Sequence, residues 1–329
     1  MTLPDLPEPA VYFPLHKARY TVTPSLSLIT ISFGNGATDA RLFQIDRDFP
    51  RFRENKIAAR QERLTKYALT DWRFDALAPD VCRLIAVRLA VEYPAYFALE
   101  MLTGGAGVLT CHLTGERLSF DREMWLLSVE GANAPPYENT FDALISQTPE
   151  DMAVVSLPEG EPDAIAALHV CSPSHWSPES VIGQPFTAIH APVPGMGKIS
   201  AASASLLEAI RTLPPVVRFN WGIEFADRLN LHPEPPPGTN ADRRILDAAA
   251  PCPLFLRVER QVLWGMETAR ALLFAIRVYT RPVTELSPRE RDDLREALLT
   301  MPEASRLYKG LPPETFAAVM DYLSGGATG

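Results

Sequence analysis

Cysteine is scarce in this chain, with four among 329 residues: Cys82, Cys111, Cys171 and Cys252. They are scattered, with no CxxC pair and no Cys/His group at zinc spacing. That excludes a disulfide framework, a zinc module and an iron–sulfur cluster built on this chain alone. Reduced, buried thiols in a cytoplasmic protein are the expectation. Positive charge is also short. Lys+Arg number 31 against 40 Asp+Glu, for a net charge of −9, so no nucleic-acid partner is expected, since such a domain needs a basic face. No apolar run approaches the ~18–20 residues of a membrane span, and no membrane association is expected. The opening MTLPDLPEPAVYFPLHK lacks the apolar stretch of a signal peptide. Histidine is rare, only six, which makes each one worth weighing as a catalytic group or metal ligand.

What is present suits a folded protein. The chain is 47% hydrophobic, far above the range of disorder, and long enough for one large domain or two modest ones. Proline is in surplus at 31, against a usual ~5% of residues. Residues 1–35, rich in Pro, Ser and Thr, predict an extended leader on the surface. From Ile45 to Tyr67 the pattern is helical and charged, with Arg60, Arg63 and Lys66 along one solvated flank. Asp80–Val91 predicts an amphipathic helix, with Val81, Leu84, Ile85 and Leu89 on one face. Tyr93–Leu102 predicts a further helix, ended by Gly104, Gly105 and Gly107. That glycine run has no strand before it and no GK[ST] after it, so it is not a phosphate loop.

The middle changes character. Met152–Leu157 and Ala164–Cys171 read as strands joined by the turn EGEP at 159–162. A short helix opening at Ser177-Pro178 and a longer one over Ser200–Leu213 follow. Val216–Phe225, Leu254–Leu263 and Ala271–Thr280 predict three more strands, with HPEPPPGTN (232–240) as a rigid exposed linker. Ser287-Pro-Arg-Glu290 is a capping box opening a helix. A last helix carries Phe316, Val319, Met320 and Leu323 and stops at Gly325-Gly326. No internal repeat is visible. The order β-β-helices-β-β-β predicts an α+β fold: a PAS-like antiparallel five-stranded sheet core inside an N- and C-terminal helical shell. The corresponding division is 1–145, mainly helical; 146–285, the core; and 286–329, C-terminal helices. A Rossmann sheet would need regular β-α alternation, which is absent.

Four blocks carry a family resemblance: PSHW…IGQPFTAIHAPVPG (173–195), RFNWGIE (218–224), LFLRVERQ (254–261) with LLFAIRVYTRPV (272–283), and YKG (308–310). Together they resemble the haem-dependent oxidative N-demethylase family, over about Tyr12 to Gly310. The resemblance implies a PAS-like core holding a b-type haem and its iron. It implies O2-dependent removal of a methyl group from a small secondary amine, released as formaldehyde. It further implies electrons from flavin (FMN) and iron–sulfur reductase components, which here would sit on separate chains. Gly265-Met266-Glu267 departs from the Leu-Pro-type turn expected there. The alternative reading is a non-catalytic PAS-type haem or small-ligand sensor, and a third is a structural protein that has lost haem.

A haem held this way needs an axial ligand, most often a neutral imidazole. The favoured ligand is His190, in IHAPVPG, where Pro192 and Pro194 stiffen the chain. His169 and His175 are the alternatives; His16, His112 and His232 lie in less favoured segments. Haem propionates suit arginine forks. Arg257 and Arg260 are candidates, followed by Arg218 and Lys198. LRVERQ alternates arginine between both sheet faces, so one must point inward and meet an anion, either Glu259 or a propionate. Trp176 and Trp221 are candidate pocket walls for an alkylated amine. Glu224 is a candidate partner for the substrate ammonium, and Asn220 a candidate hydrogen-bonding group.

Overall fold

The structure, a computed structural model, describes residues 3–325 apart from 103, 132–135, 240–245, 248–249 and 251. Its elements run β1 (Ser27–Leu28), α1 (Phe49–Arg63), β2 (Ala68–Thr70), α2 (Phe74–Glu92), β3 (Phe97–Met101), β4 (Gly107–Cys111), β5 (Glu116–Phe120), β6 (Leu126–Glu130) and α3 (Thr140–Ile145). They continue β7 (Asp151–Ser156), β8 (Ala164–His169), α4 (Phe186–His190), α5 (Gly197–Ala201), α6 (Ser203–Thr212), β9 (Val216–Glu224), β10 (Phe255–Met266), β11 (Ala271–Pro282), α7 (Pro288–Leu299), α8 (Glu303–Tyr308) and α9 (Pro313–Ser324).

The five expected strands are all present. They lie side by side as β9-β10-β11-β7-β8, every pair antiparallel. The sheet is wider than expected, because β1 adds beside β9 and β2 beside β8, giving seven strands. Each face has its own cover. On one face α4 and α6 pack through Phe186, Ile189, Leu206, Leu207 and Ile210 over Val155, Val216, Leu263 and Phe274. The other face meets two clusters. Val81, Ile85 and Leu89 of α2 lie in one, and Leu294 and Leu298 of α7 with Val319 and Leu323 of α9 lie in the other. The capping box at Ser287 and Glu290 forms as expected.

Four local expectations are corrected. Tyr93–Leu102 is not a helix. Tyr96 and Phe97 lead into strand β3, and the glycines turn it back into β4 as the first hairpin of a separate four-stranded sheet, β3-β4-β5-β6. The first 145 residues therefore carry this sheet beside their helices. The segment itself holds helix formers, and what keeps it extended is its pairing along its whole length with β4, whose Val108 and Thr110 favour the pleated state. The Arg60–Lys66 flank of α1 is not solvated. Arg60 and Lys66 are buried and only Arg63 stays exposed. The leader is extended, but Tyr12, Phe13 and Leu15 are buried in the core beside α7 and α9. The proposed linker begins with a buried His232, and its last residue lies outside the described residues.

Gly265 has a packing reason. A Cβ there would sit 2.2 Å from the carbonyl oxygen of Arg211 and 2.6 Å from that of Ile210, at the C-terminal end of α6. Only glycine lets α6 approach β10 this closely. Gly265→Ala is expected to cost about 1–3 kcal/mol of unfolding free energy, as overpacking does. Urea denaturation measures this, and an unchanged midpoint would contradict it.

Residues 39–48 form an irregular strap held by side chains. Glu92 accepts the amides of Leu42 (2.9 Å) and Phe43 (3.1 Å), Glu150 that of Gln44 (2.7 Å), and the Tyr93 hydroxyl that of Ile45 (3.0 Å). The second carboxyl oxygen of Glu150, Oε2, is buried without a hydrogen-bond partner. Burial pushes the Glu150 carboxyl up from 4.5 to about 7, against the pull of Arg277. The sign follows from linkage. A raised folded-state value stabilises below the unfolded value of ~4.3, and that stability is lost as pH rises through about 7. Glu150→Gln keeps an acceptor for Gln44 and removes the ionisation. It should match the wild type near pH 4–5 and exceed it by up to roughly 3 kcal/mol above pH ~8. Guanidinium unfolding at both pH values checks this, and an equal difference at both would refute it.

Candidate functional site

Strand register sorts the candidate residues. Directly paired residues share a face. Arg218 pairs with Gln261, Asn220 with Glu259, and Gly222 with Arg257. Arg218, Asn220 and Glu224 of β9 therefore share the α4 face with Arg257, Glu259 and Gln261 of β10. Trp221 and Arg260 fall on the opposite face. Trp221, Asn220 and Glu224, grouped from sequence as one pocket, are split by the pleat. Trp221 packs among the C-terminal helices, with Tyr20 edge-on at 6.1 Å and the Lys309 ammonium donating to its carbonyl at 2.8 Å.

The two favoured arginines spend their terminal N–H groups on backbone carbonyls, although the Arg260 Nε, like that of Arg218, is buried without a partner. Arg257 donates to the carbonyls of Ser172 (2.8 Å), Arg228 (2.9 Å) and Leu229 (3.0 Å) and to the Ser174 hydroxyl (2.9 Å). Arg260 donates to the carbonyls of Asp39 (2.9 Å) and Arg41 (2.8 Å) in the strap. An inward arginine was expected to need an anion. Converging carbonyl oxygens serve instead, because the terminal N–H donors of a guanidinium can be met by neutral acceptors. Lys198, on α5, is exposed.

The histidines separate by what their ring nitrogens do. His169 is fully buried, with Nε2 3.1 Å from Asp142 and Nδ1 3.9 Å from the Cys171 sulfur. Both nitrogens are engaged, as in a satisfied core histidine. His175 holds Glu224 through Nε2 at 2.9 Å, on a left-handed backbone with φ 63°. Glu224 is thereby matched to an imidazole inside the protein. His16 and His112 are exposed.

His190 differs. It closes α4, and its Nδ1 lies 2.8 Å from the Phe186 carbonyl. A carbonyl only accepts, so Nδ1 carries the proton and Nε2 presents its lone pair. Nε2 has no hydrogen-bond partner among the described residues. Burial depresses the imidazole's proton affinity, and the nearby Arg218 charge lowers it further, which keeps the ring neutral. The His190 ring stacks on Phe186, with centroids 4.0 Å apart. A neutral imidazole whose Nδ1–H is pinned by a backbone carbonyl is the usual form of a metal-ligating histidine.

Arg218 completes the picture. Its Nε is buried and has no hydrogen-bond partner. Burial lowers its affinity for the proton, and the Glu259 carboxylate opposes that. Glu259 is held by Ser174, by Gln261 (2.8 Å) and by Asn220 (3.3 Å). Tyr308 also feels this carboxylate: burial raises its hydroxyl first, and the Glu259 charge adds to that. Trp176 is half-buried within the α4 cluster. The structure thus brings His190, Arg218, Asn220, Glu259 and Gln261 to one face, with Trp176 beside them. Glu259 and Gln261 were missed as site residues, although the alternation of LRVERQ already put them on the face of Arg257.

The family model for haem-dependent oxidative N-demethylase, alpha subunit-like, matches residues 35–317. The chain belongs to that family. The match spans all four sequence blocks and both layers of the fold, including α4 and the β9–β10 face. "Alpha subunit-like" points to assembly with other chains, and the family description carries haem dependence. The donor set fits a haem: a pinned, neutral imidazole for iron and a cation with an unmet buried N–H for a propionate. No helix of the described residues is long and apolar enough to cross a membrane.

Proposed function

We propose that this chain is a haem-dependent oxidative N-demethylase-like enzyme acting on a small secondary amine. The observation that supports this best is His190, neutral, anchored through Nδ1 and open at Nε2, beside the unmet guanidinium of Arg218. The strand order supports a PAS-type core over 146–285. Numbered in chain order from β7, the five central strands lie 2-1-5-4-3, with the helices inserted between the second and third. The flanking 1–145 and 286–329 close around it.

His190 Nε2 would ligate the iron of a b-type haem, and Arg218 would meet a propionate. When bound, that cofactor supplies the oxidation of an N-methyl carbon with O2. The chain's own residues do the rest. The Phe186 carbonyl keeps the His190 proton on Nδ1, so the lone pair stays available. The Glu259 carboxylate, with Asn220, offers a charged acceptor to a protonated amine. The α4–α6 cover excludes water from the sheet face. In net terms one oxygen atom enters a C–H bond of the N-methyl group and the other leaves as water. The C–N bond of the resulting carbinolamine then breaks, releasing formaldehyde and the demethylated amine. The two electrons required come from FMN and iron–sulfur reductase chains.

Purified chain titrated with haem should develop a Soret band at one equivalent. With a reductant and O2 it should then release formaldehyde from dimethylamine. A Soret band without formaldehyde from any small N-methyl amine would favour the sensor reading, and no Soret band would remove both.

A further inference from the structure

We propose that Asp163 is a positioning residue for His190, the proposed haem ligand on which this role rests. Its carboxylate fixes the start of α4, and so holds the imidazole in the orientation and tautomer that leave Nε2 open. Helix α4 has five residues, too few to persist on its own. Its N-cap is Pro185, which has no side-chain acceptor to offer. The amide of Phe186, the first residue of the helix, has no partner inside the helix. Asp163 meets it from outside, accepting this N–H at 2.6 Å across 23 residues. Asp163 is itself anchored, because it directly precedes β8, a buried strand paired with β7. Two backbone bonds tie the approach to α4 to the same strand end. Gly183 donates to the Ile165 carbonyl at 2.9 Å, and Ile165 donates to the Gln184 carbonyl at 3.0 Å.

Phe186 then acts twice on His190. Its carbonyl accepts from Nδ1 at 2.8 Å, and its ring stacks on the imidazole with centroids 4.0 Å apart. The path from the sheet to the ligand therefore runs from β8 through Asp163 and Phe186 to His190. The negative charge of Asp163 pulls the imidazole towards protonation, against the neutral form that ligation needs. What Asp163 contributes is thus the place of its acceptor oxygen, not its charge. Metal-ligating histidines depend on such outer partners, whose loss costs ~10–100-fold in metal affinity.

Asp163→Ala and Asp163→Asn test this, since Asn keeps an acceptor oxygen and removes the charge. In the haem-free full chain at pH ~8, where imidazoles are neutral, nitrogen-15 shifts of the His190 ring report which nitrogen carries the proton. The wild type and Asp163→Asn should hold it on Nδ1, and Asp163→Ala should lose that preference. His169, held by Asp142 in the core, is the internal control and should keep its shifts in both variants. Optical titration with haem should show binding at least about tenfold weaker in Asp163→Ala, and within about threefold of the wild type in Asp163→Asn. An unchanged tautomer in Asp163→Ala, an equal loss in both variants, or a His169 that moves together with His190 would overturn the proposal. A wild-type chain that takes up no haem removes the ligand reading, while the tautomer comparison still decides what Asp163 does to His190.

Discussion

His190→Ala is expected to abolish the Soret band that the wild-type chain gains with haem, and to leave the fold intact. His190 has an Nδ1 that faces a carbonyl at 2.8 Å and an unmet Nε2, and it lies beside the Arg218 cation; His232 shares the first two features, with Nδ1 3.0 Å from the Glu234 carbonyl, but not the neighbouring Arg218. Loss of an outer-shell partner of a metal ligand already costs ~10–100-fold in affinity, so removing the ligand itself should exceed that. The side chain is half-buried at the end of a five-residue helix, so stability should change little. His175→Ala, whose ring is tied to Glu224, should keep the Soret band. Optical titration with haem, with far-ultraviolet circular dichroism as the folding control, reads both variants. A band retained in His190→Ala, or lost in His175→Ala, would move the ligand elsewhere.

Asp142→Ala is expected to cost about 3–5 kcal/mol, because it strands a buried charge. Arg60 donates to both oxygens of Asp142, with one contact at 2.6 Å, and both side chains are nearly fully buried. Asp142 also meets His169 at 3.1 Å and the Glu138 amide at 2.9 Å. Burial alone would raise its carboxyl. The His169 hydrogen bond and charge, Arg60 and the amide together hold it below its ordinary value. Stability from this group is therefore present above pH ~4 and lost as pH falls through the lower folded-state value. The double variant Arg60→Met, Asp142→Leu should recover most of the loss, since a matched apolar pair leaves no stranded charge. Urea denaturation of the three variants decides it. A loss below about 1 kcal/mol in the single variant would mean that the pair is not desolvated as described.

The central sheet was legible because it obeys simple rules. Short apolar runs bounded by Pro, Gly and acids became β7 to β11, and Ser287-Pro-Arg-Glu290 became a capped helix. The edge strands β1 and β2, of two and three residues, are too short to carry a period, and only their partners define them. Site composition was partly legible. The register of β9 and β10 settles which residues share a face, and the alternation in LRVERQ contains that information. Whether a buried arginine meets a propionate or a carbonyl was not legible, because the carbonyls of Asp39, Arg41, Ser172 and Leu229 arrive from remote segments. The burial of Arg60 and Lys66 was hidden for the same reason: Asp142 lies 82 residues from Arg60, and the Glu234 carbonyl lies 168 residues from Lys66.

The 39–48 strap sets a timetable for folding. The amides of Leu42 and Gln44 end on carboxylates 50 and 106 residues away, and Arg260 reaches back 221 residues to the Asp39 carbonyl. None of these bonds can form until α2, β7 and β10 are already in place, so the strap closes late, after its loop entropy has been spent. Native-state hydrogen exchange should register this order. Leu42, Phe43 and Gln44 belong to no helix or strand, yet their amides should exchange only through opening of the tertiary structure around them, as slowly as the central strands.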